Sequence, residues 1–334
     1  MLDSINMNVD ASMDSVYLAG NVSNQDLSAT IKSGLTFGTP MNVRLDDLVL
    51  DYKDQHLELQ QSPALISIGE TAYQIDNLKM ASADSDSAQA IQIAGVIDRS
   101  GTQDLAVNVT NVNIGELVNS FNEEMKASGI FSLNLKISGS AAAPVMDAKF
   151  VLEEASLNDY KFTEFGGTFG LKNNELNVAV NLIPADSGKI SIEGQIPASI
   201  RLDSMQFEFN PEAPLDAKFI ADRFPLGVIR AFNITEDIAG FLQADVNISG
   251  TVKDPRPEGN LRLVDASVKV PEYGIDYKTI KLNVNFTPEE IILDTFNITS
   301  QDGAMYADGK LNFRGGFYKG DISDSKISVF FDKF

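Results

Sequence analysis

Phe131-Ser132-Leu133-Asn134-Leu135-Lys136-Ile137-Ser138-Gly139 sets apolar and polar residues in alternation and stops at a glycine. A period of two is that of a β-strand, whose successive side chains point to opposite faces, so the stretch reads as a strand with one apolar and one wet face. The same alternation returns at Leu176, Val178, Val180 and Leu182, at Ala244, Val246 and Ile248, and at Ile280, Leu282, Val284 and Phe286. Together with Phe131, Leu133, Leu135 and Ile137, these are the candidates for lining one apolar surface. Short turn sequences separate the runs, among them Lys172-Asn173-Asn174-Glu175, Thr287-Pro288-Glu289-Glu290 and Gln301-Asp302-Gly303. Such spacing predicts hairpins, hence an all-β chain with an antiparallel sheet.

The strands come in a repeat. Gly129 and Gly240 lie 111 residues apart, as do Gly139 and Gly250, Pro144 and Pro255, and Ala155-Ser156 and Ala266-Ser267. Two short segments read as helical, residues 114–121 and 225–232, and they recur with the strands. Farther on the offset becomes 115, from Gly188 to Gly303 and from Gly194 to Gly309, so one connection is about four residues longer. A fainter copy starts the chain, where Ile91-Gln92-Ile93-Ala94-Gly95 matches Ile190-Ser191-Ile192-Glu193-Gly194. The expected division is a partial repeat over 1–112 and two repeats over 113–223 and 224–334, each with one short helix laid across the growing sheet.

A long sheet with one apolar face buries it against a second sheet, by closing into a barrel, or by curling around something greasy. Serial repetition without Pro, Gly or Ser-rich linkers favours an elongated, twisted antiparallel sheet curled into a taco-like groove. At about 11 residues per strand it would hold roughly 30 strands and extend on the order of 140 Å. The stripes themselves fit either lipid or a dry core between two sheets.

Composition narrows the function classes. Of the 334 residues, 43% are hydrophobic and 22% charged, which suits a folded chain with a large apolar surface. The net charge of −21 would repel a phosphate backbone, so nucleic acid is not an expected partner. The chain has no cysteine, which removes disulfides, thiolate metal sites and thiol catalysis. It has no apolar run near the ~20 residues of a membrane-spanning helix. Met1-Leu2-Asp3-Ser4 carries no signal-peptide features, yet alternation has begun by Met7, so the chain is expected to be a fragment.

No set of residues converges on catalysis, and no catalytic, cofactor or metal site is expected. His56 is the sole histidine and reads as a surface residue of a strand or turn. Phe165-Gly166-Gly167-Thr168-Phe169-Gly170 lacks the spacing and following helix of a phosphate loop and reads as a kinked strand. Asp84-Ser85-Asp86-Ser87 lacks the glutamate of a calcium loop and reads as a solvated turn. Acidic pairs such as Glu153-Glu154 and Glu289-Glu290 would point to opposite faces of a strand and form no dyad. Asn233-Ile234-Thr235 and Asn297-Ile298-Thr299 read as ordinary polar segments. Residues 327–334 alternate partly and end in an aromatic, as do strands that dock on outer-membrane barrels, but an arbitrary end is the preferred reading. A secreted adhesin or carbohydrate-binding array would want aromatic platforms, against which the absence of tryptophan speaks.

At the repeat the chain resembles the TamB family, subunits of the translocation and assembly module, and its wider AsmA-like relatives. The likeness runs from Val246-Asn247-Ile248-Ser249-Gly250-Thr251-Val252-Lys253-Asp254-Pro255 through Gly259-Asn260-Leu261-Arg262-Leu263, Asp265-Ala266-Ser267 and Tyr273-Gly274-Ile275. It closes on Asp302-Gly303-Ala304 and Asp308-Gly309-Lys310-Leu311, and the middle repeat copies it. The resemblance implies a long β-groove with an apolar interior in the periplasm of a diderm bacterium, anchored in the inner membrane through regions outside this chain. It implies phospholipid as cargo between inner and outer membranes, in outer-membrane biogenesis. The alternative it carries is a translocation and assembly factor that binds unfolded outer-membrane or autotransporter β-strands in protein secretion, with an outer-membrane barrel partner of the TamA type. Neither role asks for a catalytic group or cofactor.

Overall fold

The computed structural model describes residues 3–53, 55–82, 88–115, 118, 126–158, 160–232, 235, 237–271, 274–301, 303–312 and 324–333. Among the described residues 77% lie in strands and 3% in helix. In chain order the strands are β1 (Ser4–Ala11), β2 (Ser15–Ser23), β3 (Leu27–Thr36), β4 (Met41–Tyr52), β5 (Gln55–Leu59), β6 (Ala64–Ile68), β7 (Ala72–Ala81), β8 (Ala90–Asp98), β9 (Thr102–Asn113), β10 (Ala127–Ser140) and β11 (Ala143–Leu157). They continue with β12 (Tyr160–Lys172), β13 (Glu175–Pro184), β14 (Lys189–Arg201), β15 (Gln206–Phe209), β16 (Asp216–Pro225), β17 (Asp237–Gly250), β18 (Pro255–Val270), β19 (Ile275–Phe286), β20 (Glu290–Thr299), β21 (Ala304–Asn312) and β22 (Lys326–Asp332).

All belong to one 22-stranded sheet in which sequence neighbours pair antiparallel. There are two local departures. β5 and β6 lie end to end, sharing β4 on one side and β7 on the other. β15 pairs with the far end of β14, whose near end pairs with β16. The hairpin turns follow their chemistry: Asn173 and Asn174 between β12 and β13 take φ of 54° and 62°, the left-handed pair whose twist suits a two-residue hairpin.

The strands are fewer and longer than the roughly 30 expected from spacing alone. Among the described residues they number 22 and reach 16 residues, because they run through bulges. An extra residue at a bulge reverses the alternation, so one long strand reads as two short ones. In β11, Met146, Ala148, Phe150 and Leu152 share a face. Glu154 then turns left-handed at φ 50°, and Ala155 takes over that face. At about 4.8 Å per strand the sheet measures on the order of 100 Å across.

The repeat is written in backbone geometry as well. Glu154 and Asp265, 111 residues apart, have φ of 50° and 51°; Gly129 and Gly240 have 154° and 103°, and Gly139 and Gly250 have 82° and 91°. The four extra residues lie between Ala266 and Ile275, nine positions where Ala155 and Tyr160 are five apart: two lengthen the end of β18 and two lengthen its connection to β19. Hydrogen bonding continues across both expected repeat boundaries, through β9–β10 and β16–β17.

The helical expectations are adjusted. Pro225 closes β16 opposite Phe241, and a single 3-10 helix, Leu226–Phe232, follows it. Of residues 114–121 only 114, 115 and 118 lie within the described residues, and there the Val118 N–H donates to the Ile114 carbonyl at 2.9 Å.

The chain exposes 19708 Å² of surface. A compact protein of its mass would expose about 13,400 Å². The excess is that of a sheet with much of both faces uncovered.

Candidate functional site: the apolar face of the sheet

Residues directly opposite one another in an antiparallel pair carry their side chains on the same face, so the register traces each face from strand to strand. Phe131, Leu133, Leu135 and Ile137 of β10 stand opposite Leu152, Phe150, Ala148 and Met146 of β11. Those oppose Phe165, Gly167, Phe169 and Leu171 of β12, which oppose Leu182, Val180, Val178 and Leu176 of β13. β14 follows with Ile190, Ile192 and Gly194, then β16 with Ala221, Phe219 and Ala217, then β17 with Ala244, Val246 and Ile248. The line passes through Leu261 and Gly259 of β18 to Val284 and Phe286 of β19, with Leu282 opposite Leu263 and Ile280 opposite Ala266.

The candidate residues from all four quoted stretches therefore lie on one face. That face runs on through Ile91 and Ile93 of β8 to Ile5, Met7 and Val9 of β1, and in the other direction to Ile327 and Val329 of β22.

The other face is polar. Asn134, Lys149, Thr168, Ala179, Glu193, Lys218 and Asn247 stand in one row across it. Amide ladders tie neighbouring strands there, as where Asn260 Nδ2 donates to Asn283 Oδ1 and Asn285 Oδ1, both at 2.7 Å. A depression of about 660 Å³ lies on this face, its side chains including Asn134, Asp147, Lys149, Glu193 and Lys218. Between these polar residues its lining also includes Ala148, Phe169 and Val178.

Much of the apolar face is open. Phe165, Phe169 and Ile192 are 37%, 38% and 45% exposed in mid-sheet, and Ile5, Met7 and Val9 are 57–59% exposed at β1. No large side chain is fully buried among the described residues. A dry core between two sheets would bury these side chains, so that alternative does not fit. The face is covered more closely at one place. There Ala221, Phe224, Ala244 and Val246 form a buried cluster against which Leu182, Ile190, Leu242 and Leu261 pack, together with Val228 of the 3-10 helix.

The open stretch centres on three aromatic rings. Phe150 meets Phe165 edge-on at 5.4 Å and stacks on Phe169 at 5.6 Å. Gly167 lies opposite Phe150 and between the two rings in sequence, and an added Cβ would come 2.4 Å from the Ala179 carbonyl oxygen. The glycine thus serves close approach of β13 and room for the ring. The expected kink is not there. Pairing of β12 with both neighbours runs through Gly166-Gly167 without a shift, and the irregularity falls between Phe162 and Glu164. These aromatics were outside the candidate set, although Met146, Ala148, Phe150 and Leu152 alternate as plainly as the runs chosen.

His56 lies in β5 on the wet face, its Nδ1 2.5 Å from Asp51 Oδ1 and its Nε2 3.7 Å from Glu58 Oε2. The hydrogen bond to Asp51 raises its pKa above the ordinary 6.5, against a smaller opposing effect of burial. Glu290 pairs with Lys310 at 2.9 Å and Glu154 occupies the bulge in β11. The segment 84–87 and residues 233–234 lie outside the described residues. Among the described residues no group of His, Asp or Glu is arranged to hold a metal, and no helix is long and apolar enough to cross a membrane.

No protein-family model matches the chain, and no curated protein or solved structure matches it.

Proposed function

We propose that the apolar face is a floor on which phospholipid acyl chains are held or slide, in a cell-envelope protein of the TamB kind that joins inner and outer membranes. The observation that carries this reading is the unbroken apolar ladder from β1 to β22, much of it open. An acyl chain gains about 0.8 kcal/mol for each methylene it removes from water. On a floor with no polar row to cross, that gain is nearly the same at each strand, so lateral movement meets no large barrier. Such movement needs no nucleotide or metal. The net charge of −21 keeps the wet face hydrated.

The test is lipid extraction and native mass spectrometry of the purified chain, followed by photocrosslinking to lipid. Copurified phospholipid, with crosslinking lost in Val246→Asp and Val284→Asp, supports the reading. Unchanged crosslinking in both variants removes those strands from the floor. Recovery of bound polypeptide in place of lipid moves the assignment to the secretion role.

A further inference from the structure

The 3-10 helix Leu226–Phe232 lies on the apolar floor that the proposed function uses, and the following inference rests on that reading. It follows directly on the end of β16, lies against β17 and β12, and is tied to the end of β11, where Asn158 Nδ2 donates to the Ala231 carbonyl at 2.7 Å. Val228 packs against the buried cluster formed by Ala221, Phe224, Ala244 and Val246. Those four belong to the same apolar face as the open residues, yet they are only 3–8% exposed, against 37–45% at Phe165, Phe169 and Ile192.

We propose that this helix is a displaceable strap: latched through Asn158, it closes the stretch of floor from β16 to β17, and cargo passes only when it lifts. Three features make it the weak member of that contact. A 3-10 helix has poorer hydrogen-bond geometry than an α-helix and is used in short pieces. It is seated through small side chains, the buried Gly227 and Ala231, and the one side chain it sets against the buried cluster is the half-buried Val228. Its hold on the far strands includes a single side-chain bond, from a residue that also accepts from the Lys126 N–H at 3.1 Å through Oδ1. One amide thus ties the connection that precedes β10 to the one that precedes β17. The sheet itself, by contrast, is held by ladders that resume beyond their bulges and would stay in place while the strap moved.

The chain has no cysteine, so single cysteines report without background. Val246→Cys and Phe169→Cys are labelled with a small uncharged thiol reagent, each alone and combined with Asn158→Gly or Val228→Ala. Glycine suits position 158 because Asn158 has φ 53°. Circular dichroism checks that each variant keeps its strand content. The expected result is slow labelling at 246 and fast labelling at 169, with the 246 rate rising about fivefold on loss of either contact, the size of one net hydrogen bond or of the two half-buried methyl groups of Val228. The 169 rate stays unchanged. Equal rates at 246 with and without the contacts overturn the strap.

A second readout separates the strap from the reading it rests on. In vesicles of phosphatidylethanolamine and phosphatidylglycerol carrying a photoactivatable acyl chain, the strap predicts capture at 169 in every variant and capture at 246 that rises with Asn158→Gly. Capture at 169 with equal capture at 246 in all variants overturns the strap and leaves the lipid reading. Capture at neither position overturns both.

Discussion

At the scale of single residues the sheet depends on where side chains are missing as much as on where they stand. A Cβ at Gly167 would meet the Ala179 carbonyl at 2.4 Å and Val180 at 3.1 Å, and β12 cannot yield without disturbing the three-ring cluster. Gly167→Val should therefore cost about 1–3 kcal/mol, read as a lower urea midpoint. Gly34 gives the contrast, since an added Cβ there meets nothing within 4 Å. Gly34→Ala in β3 should gain about 0.4–1 kcal/mol by restricting the unfolded chain. His56 adds a pH dependence whose sign follows from its raised pKa. The protonated ring is favoured in the folded state, so its stabilisation is fully present below pH 6.5 and is lost as pH rises through the folded value. NMR titration should place His56 above 6.5, and His56→Gln should remove that part of the stability difference between pH 6 and pH 8. An unshifted titration would show that the Asp51 contact does not persist in solution.

At the scale of the strand, bulges decide what could be read in advance. The period-two runs in β10, β13, β17 and β19 were legible because no bulge breaks their alternation over the quoted residues, and the register places all of them on one face. Bulged strands hid their length. Glu154 in β11 and Asp265 in β18 both sit in left-handed conformations, which aspartate visits more readily than glutamate, and nothing in a lone acidic residue announces that it will absorb an extra position. Only the 111-residue spacing marks the two sites as equivalent. Phe150, Phe165 and Phe169 were missed for a different reason: the glycine pair between the latter two looked like a break, whereas it fits a ring. The bulge makes its own prediction. Glu154→Gly relieves a strained φ and should be neutral or stabilise by up to about 1 kcal/mol, while β-branched Glu154→Val should cost about 1–2 kcal/mol. Thermal unfolding of the two variants gives the order. If Glu154→Val were the more stable, the bulge would have to move in register, and hydrogen exchange along β11 and β12 would show it.

At the scale of the whole molecule, each strand touches its neighbours and little else, so cooperativity should fall off with distance along the sheet as it does in stacked repeats. β17 is paired on both sides, without a register shift around Val246, which is 6% exposed. Proline there removes a backbone donor and clashes with a central strand, which only edge strands and bulges tolerate. In a compact globular fold Val246→Pro would unfold everything at once. Here the loss of protection should be local: hydrogen exchange accelerates through β14, β16, β17, β18 and β19, while β2, β3 and β4 keep the protection they have in the unsubstituted chain. Gly167→Val should do the same around β11 to β14, and the two affected zones should overlap only at β14. Uniform acceleration in either variant would mean that the floor is stabilised by contacts across its faces, and that an open conduit is the wrong description of it.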